Sequence, residues 1–212
     1  MKRSNKKGFT LIELLVALVI CGMVAAGIYQ VFIAQSKAYT VQDQVVEVQQ
    51  SVRSAMEILL RDLRMAGYDS DNLLSTVTIT SAVADLSDNA MTVNYEYYDK
   101  IPAQYQKHTV RYWRDGGSSR LFRQLTVNDV ATPQEPLLEN VENLNFTYGV
   151  DVDEDSALDN WVPAGSIGMS KVVAVRVTLT ARPVQINPDH NKMISPRTLV
   201  SNVTLRNLCL SR

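Results

Sequence analysis

The chain has little with which to do covalent chemistry. Its 212 residues include two histidines, His108 and His190, and two cysteines, Cys21 and Cys209. Neither histidine stands in a nucleophile motif. His108 heads a strand pattern, and His190 lies in a loop rich in Pro, Asn and Asp. Both read as surface residues. There is no Gly-rich phosphate loop, no CxxC and no HxxxH, so the sequence offers no enzyme chemistry and no cofactor site. Two cysteines do not make a disulfide framework. Cys21, inside an apolar run, reads as a small buried hydrophobe. Charge of one sign is also lacking: the net charge is −1 at pH 7, and bulk electrostatics do not suggest a nucleic-acid binder. Proline is missing from Phe9 to Ala66. No internal repeat or low-complexity linker is present. With 20% charged and 46% hydrophobic residues, the chain is neither disordered nor polytopic.

What is present begins at the N-terminus. Lys2, Arg3, Lys6 and Lys7 cluster within residues 1–8 with no acid among them. An apolar run follows, FTLIELLVALVICGMVAAGIYQVFIA over residues 9–34, with Glu13 as its single carboxylate. A membrane-spanning helix needs about 20 apolar residues. The basic cluster predicts a cytoplasmic start by the positive-inside rule, with the rest outside. A secretory signal peptide has a shorter apolar core and ends in a small-residue cleavage site, which is not found here. A plain signal anchor fits length and charge but leaves Glu13 unexplained, since a carboxylate within the bilayer is costly and asks for a partner.

Lys6-Lys7-Gly8-Phe9-Thr10-Leu11-Ile12-Glu13 resembles the class III signal of type IV prepilins, in which a basic leader, Gly, Phe and an apolar run carry Glu in the fifth place after the Gly. The resemblance implies cleavage between Gly8 and Phe9 by a membrane-embedded aspartic peptidase and methylation of the new Phe9 amine. It also implies that Glu13 serves assembly, meeting the Phe9 amine of a neighbouring subunit. Two opposite charges inside an apolar filament core are tolerable when paired.

Beyond Ser36 the sequence turns polar but keeps helical period. Val41, Val45, Val48, Val52, Met56, Leu59, Leu63 and Ala66 recur at steps of three and four, and polar residues fill the other faces. Glu57 and Arg61 stand in the favourable i,i+4 order, and Gly67 supplies a C-cap signal. A helix over 9–66 would be about 87 Å long at 1.5 Å per residue. Gly22 and Gly27 inside its apolar half fit either local unwinding on assembly or close helix packing.

After Gly67 the period becomes two. Strands are predicted at Met91–Tyr97, Lys107–Arg114, Ser119–Thr126, Leu144–Val150, Val173–Leu179 and Leu199–Leu205, with Leu74–Val83 extended. Asp115-Gly116-Gly117 marks a hairpin, and 129–143 and 151–168 read as loops. The predicted fold class is α+β: a long N-terminal helix, half apolar and half amphipathic, packed on a mainly antiparallel sheet in a lollipop arrangement. The expected divisions are a leader at 1–8, a transmembrane and filament-core helix at 9–36, the amphipathic helix of the head at 37–67, and a β-rich head at 68–212.

Within the prepilin-like proteins the chain is similar to PilW-type minor pilins. The resemblance is carried by Tyr39, the run from Arg53 to Tyr68 with Arg64-Met65-Ala66-Gly67-Tyr68 at its end, and Val203-Thr204-Leu205-Arg206-Asn207. The hairpin bearing Tyr112 and Leu121-Phe122-Arg123 is also similar to type II secretion pseudopilins of the J type. The resemblance implies a structural minor pilin in type IV pilus assembly, at initiation or in a tip complex. The implied partners are a prepilin peptidase, other pilin-like subunits, the inner membrane and the pilus assembly platform. It further implies a single-pass inner-membrane stage with the head in the periplasm. A J-type pseudopilin is the first alternative, and a pilus-tip module gripping DNA or a surface is the second.

Two patches remain. Asp151, Asp153 and Asp155 alternate in an acidic loop with Glu154 and Asp159, which suits Ca²⁺ in ligand type. The EF-hand pattern fails, with Ser156 at the turn glycine and Val162 at the bidentate acid, so a solvated loop is the better reading. Lys107, Arg111, Arg114, Arg120 and Arg123 interleave with Tyr105, Tyr112, Trp113 and Phe122. A DNA-gripping surface has this composition, and so does a half-buried strand pair with one solvated face, which is preferred.

Overall fold

The computed structural model describes residues 8–70, 75–101, 103–155, 157–168, 170–183 and 195–209. A single helix, α1, runs from Leu11 to Met65 over 55 residues. The chain divides into two compact units, one up to Asp43 and one from Gln44 onward. Among the described residues the first unit is helix from Leu11 onward. Its apolar side chains up to Ile33 are exposed all round, Phe9 being 88% and Phe32 68% exposed. The helix passes through Gly22 and Gly27 without a break.

In the second unit α1 presents one apolar face. Val48, Val52, Met56, Leu59 and Leu63 are buried on it, as the three-and-four spacing requires. The helix ends where Gly67 takes φ +75°, a conformation that costs a Cβ-bearing residue energy. Its terminal carbonyls need donor partners. The Asn207 side-chain amide supplies them, donating to Ala66 O at 3.1 Å and to Met65 O at 3.4 Å. The chain then runs beside the first sheet, with Gly67 N–H donating to Asn94 O and Glu96 N–H to Tyr68 O.

Ten strands follow: β1 Val83–Ala84, β2 Ala90–Lys100, β3 Ala103–Asp115, β4 Arg120–Val127, β5 Val130–Ala131, β6 Glu135–Leu138, β7 Val141–Asp151, β8 Asn160–Val162, β9 Lys171–Ala181 and β10 Arg197–Thr204. A short helix α2, Arg206–Cys209, follows β10. The head has two antiparallel sheets where the period-two pattern suggested one. The first runs β1-β2-β3-β4-β5 with β6 also on β4, and the second runs β10-β9-β7-β8. Alternation along a strand says which face is inward but not which sheet the strand joins. Both inner faces and the helix stripe share one core. Met91, Val93, Val110 and Leu121 enter it from the first sheet, and Phe146, Val175, Val177 and Leu179 from the second.

Other expectations need correction. Of the described residues in the stretch predicted as extended, only Val83 pairs as a strand, at the start of β1. Residues 75–79 carry no regular structure, and Leu74 lies outside the described residues. The predicted loops hold β5, β6 and β8. At the β3–β4 hairpin the glycines do not supply the left-handed residue; Ser119 does, at φ +53°. The Asp115 carboxylate closes that turn by accepting from Ser118 N–H at 2.9 Å and Gly117 N–H at 3.3 Å. Arg61 approaches Asp62 at 3.5 Å, and no Glu57–Arg61 ion pair is found among the described residues.

Candidate functional site

The residues expected to serve processing and assembly lie together at the start of α1. Gly8, Phe9 and Thr10 are non-helical and exposed, and the helix opens at Leu11. Glu13 sits in the first turn. Its Oε2 accepts from Thr10 N–H and from the Thr10 hydroxyl, each at 2.9 Å. The Thr10 hydroxyl oxygen in turn accepts from Glu13 N–H at 3.4 Å. The sequence reading had Glu13 waiting for a partner in another subunit. In the single chain it already has one, three residues away. From here the helix is long and apolar enough to cross a membrane, and none of its most apolar stretch is buried. Cys21, expected as a buried hydrophobe, is exposed within this stretch.

In the head, the basic and aromatic hairpin does not form one surface. Successive residues on a strand point to opposite faces, and the set divides accordingly. Tyr112 and Arg123 face each other across β3 and β4 and turn inward onto the helix. The Tyr112 hydroxyl donates to Asp62 Oδ2 at 2.6 Å, and Arg123 Nε donates to the same oxygen at 3.0 Å. Asp62 and Tyr112 are almost wholly buried. Burial and the Asp62 charge push the Tyr112 hydroxyl far above the usual tyrosine range. Outward, Trp113 and Phe122 stack at 5.5 Å and Arg111 lies over Trp113. Arg114 donates to Val141 O at 2.8 Å and Arg120 pairs with Glu139 at 2.8 Å. The cations are thus divided between the two faces of the strand pair, and Arg114, Arg120 and Arg123 are each engaged by a carbonyl or a carboxylate.

The acidic loop changes membership. Carboxylate oxygens of Asp151, Asp153 and Asp159 lie within 4.8 Å of one another. Asp155, named from the alternating pattern, instead accepts from Ala157 N–H at 2.7 Å. Asp159 enters because β7 and β8 pair on either side of the loop; its carboxylate also accepts from Val152 N–H at 2.7 Å. Three carboxylates fall short of the six to eight oxygens that Ca²⁺ takes, and two of them already hold the loop's own backbone.

Two groups in the head were misjudged or missed. His108 is half-buried, stacked on Tyr97 at 4.9 Å and near Tyr95 at 5.5 Å. Burial, aided by the Arg123 charge, holds its imidazole below the usual range. His190 lies outside the described residues. Glu96 is fully buried and accepts from Ser70 N–H at 2.5 Å and from the Ser75 hydroxyl. Burial alone would raise its carboxyl, but the hydrogen bonds from Ser70 and Ser75 prevail and hold it below the usual range. Alternation puts Glu96 on the face opposite Met91, Val93 and Tyr95, and period alone does not show that Ser70 and Ser75 cover it there.

These shifts set a pH dependence. His108 and Glu96 both bind protons more readily unfolded, so stability should fall as pH drops below about 6.5, and further through about 4.3. Burial and the Asp62 charge push Tyr95 up to about 12. The unfolded chain gives up that proton near pH 10, so stability should also fall as pH rises beyond about 10. Urea midpoints measured from pH 4 to 11.5 should trace a dome, and a midpoint that holds level above pH 10 would contradict this assignment.

Two family models match the chain. One is described as Prokaryotic N-terminal methylation motif and covers residues 3–29, the stretch that holds Gly8, Phe9, Thr10 and Glu13. The other is described as Type IV Pilus-assembly protein W and covers residues 110–207. It runs from the middle of β3 through both sheets to Asn207. The two matches support a type IV prepilin-like chain of the PilW type. A search of curated proteins returned no match. The two matches support a minor pilin in type IV pilus assembly and do not favour a secretion pseudopilin or a tip binding module over it. Both families are structural. The apolar helix and the methylation motif together mark a membrane-anchored, pilus-associated chain. Tyr112, Arg123 and Asn207 fall inside the PilW match, while Asp62, to which Tyr112 and Arg123 both donate, falls outside both matches.

Proposed function

We propose that this PilW-type pilin is trimmed between Gly8 and Phe9 and then enters a pilus as part of its initiating or tip complex. The observation that carries this reading is the unburied apolar stretch of α1, which begins two residues after the Gly8–Phe9 bond. A helix that is apolar all round needs either a lipid or a filament surrounding. The reading gives it both in turn. Before cleavage it anchors the chain in the inner membrane, with the basic residues cytoplasmic and the head periplasmic. After cleavage it packs among the helices of other pilin-like subunits delivered by the assembly platform.

Cleavage by a prepilin peptidase adds water across the Gly8–Phe9 amide, leaving a Gly8 carboxylate and a free Phe9 amine. Methylation then caps that amine without removing its charge. In the filament the Glu13 carboxylate meets the Phe9 amine of a neighbour, which lowers the cost of placing both charges in an apolar core.

The test is Gly8→Val. A side chain at the residue before the cut should block the peptidase and leave the full-length precursor in the membrane. The subunit should then be missing from sheared pili, although its head is unchanged. A Gly8→Val chain that is shortened and incorporated like the wild type would refute the reading.

A further inference from the structure

The apolar run begins at Phe9, yet the helix begins at Leu11. Nothing in composition explains the delay. Phe9 and Thr10 are tolerable helix residues, and Gly8 alone is a poor one. Inside a bilayer the exposed N–H groups of a helix start find no water, which favours winding the helix upstream toward the wet basic leader. What stops it is the reciprocal bonding of Thr10 and Glu13. The Glu13 carboxylate takes the Thr10 N–H, and the Thr10 hydroxyl oxygen takes the Glu13 N–H. This is a capping box, with Thr at the N-cap and Glu three residues on. Thr10 O is already the acceptor for Leu14 N–H at 3.3 Å, so the first turn closes on the capping residue itself.

We propose that Thr10 is a positioning residue for the processing step. Together with Glu13 it fixes the helix start at Leu11 and keeps the Gly8–Phe9 amide outside the helix. A peptide bond wound into a helix has its carbonyl bonded to an N–H four residues on and its faces covered by side chains. A peptidase acting there must first unwind a turn. The capping box removes that step and holds the amide two residues ahead of the helix. The same bonds give the Glu13 carboxylate a partner in the precursor, before any neighbouring amine exists. The proposal rests on the processing reading given above.

The test uses the full-length chain in membranes containing a prepilin peptidase, with cleavage followed over time and the cut site located by mass. Three chains are compared: wild type, Thr10→Val and Thr10→Asn. Valine keeps the branched shape of threonine and loses the capping oxygen. Asparagine loses the shape and hydroxyl but is among the best N-cap residues. Thr10→Val should be cut about fivefold more slowly, the size expected from losing one cap, and Thr10→Asn within about twofold of wild type. Thr10→Val cut at the wild-type rate would overturn the proposal. Thr10→Asn as slow as Thr10→Val would overturn it too, because the peptidase would then be reading the threonine side chain itself. A wild-type chain left uncut at Gly8–Phe9 would overturn the processing reading, and this proposal with it.

Discussion

A chain beginning at Lys37 should fold into a soluble, cooperative head, whereas one beginning at Gly67 should not fold at all. The second half of α1 is part of the core. Val48, Val52, Met56, Leu59, Leu60 and Leu63 are at most 8% exposed, and they share one cluster with the inner faces of both sheets. Burying such a side chain contributes about 1.5–3 kcal/mol. Six of them together rival the whole net stability of a domain, about 5–15 kcal/mol. Their removal would also open both inner sheet faces to water and invite aggregation. The Lys37 chain keeps all six and, among the described residues, discards only exposed ones. Size-exclusion chromatography and thermal melts of the two chains decide the matter. Equal behaviour would mean that the helix is not part of the head's core.

Asp62→Leu should cost the head about 3–5 kcal/mol, the range for stranding a partner of a buried charge. The Arg123 side chain is 16% exposed and that of Asp62 3%, so water cannot replace the lost acceptor. Tyr112 would lose its acceptor at the same time. Replacing all three together, Asp62→Leu with Tyr112→Phe and Arg123→Met, should recover most of the loss, because a buried ionic cluster exchanged for apolar residues is often neutral. Denaturant midpoints of the full-length chain in detergent give the comparison. If the triple variant were no more stable than Asp62→Leu, the loss would come from packing and not from the stranded charge.

The helix was legible in the sequence because an apolar run from Phe9 passes into a three-and-four pattern from Val41 to Ala66 without a proline, and Gly67 ended it. Val48, Val52, Met56, Leu59 and Leu63 of its inward stripe could be named, while Gln44, Ala55, Leu60 and Asp62 are buried beside them without having been marked by the pattern. The strands around Val93, Val110, Phe146 and Val177 were legible for the same reason at period two. The division into two sheets was not, because it depends on which strands pair across distant stretches. The short strands β5 and β8 escaped since neither is longer than three residues. One cue for β5 was overlooked: Asn128-Asp129 stands between Val127 and Val130, and both turn residues take positive φ, as a tight hairpin turn requires.

At the candidate site, Gly8, Phe9 and Glu13 stood out because a lone carboxylate in an apolar run is conspicuous. Thr10 did not, although Thr-x-x-Glu ahead of an apolar run is itself a helix-start signal. The family resemblance drew Glu13 toward another subunit and away from its neighbour in the same turn. In the head, Asp62, Tyr112 and Arg123 lie far apart in sequence and meet only once α1 crosses β3 and β4. The basic hairpin therefore looked like a surface until one of its cations was found turned into the core.

The most direct test of the whole account is the mass of the N-terminal peptide of the mature protein recovered from cells. The account requires a chain that starts at Phe9 with a methylated amine, having lost residues 1–8 and kept the apolar run that follows. A mature chain starting anywhere past residue 20 would show that the apolar run is cut away as an ordinary signal peptide, and no filament helix would remain.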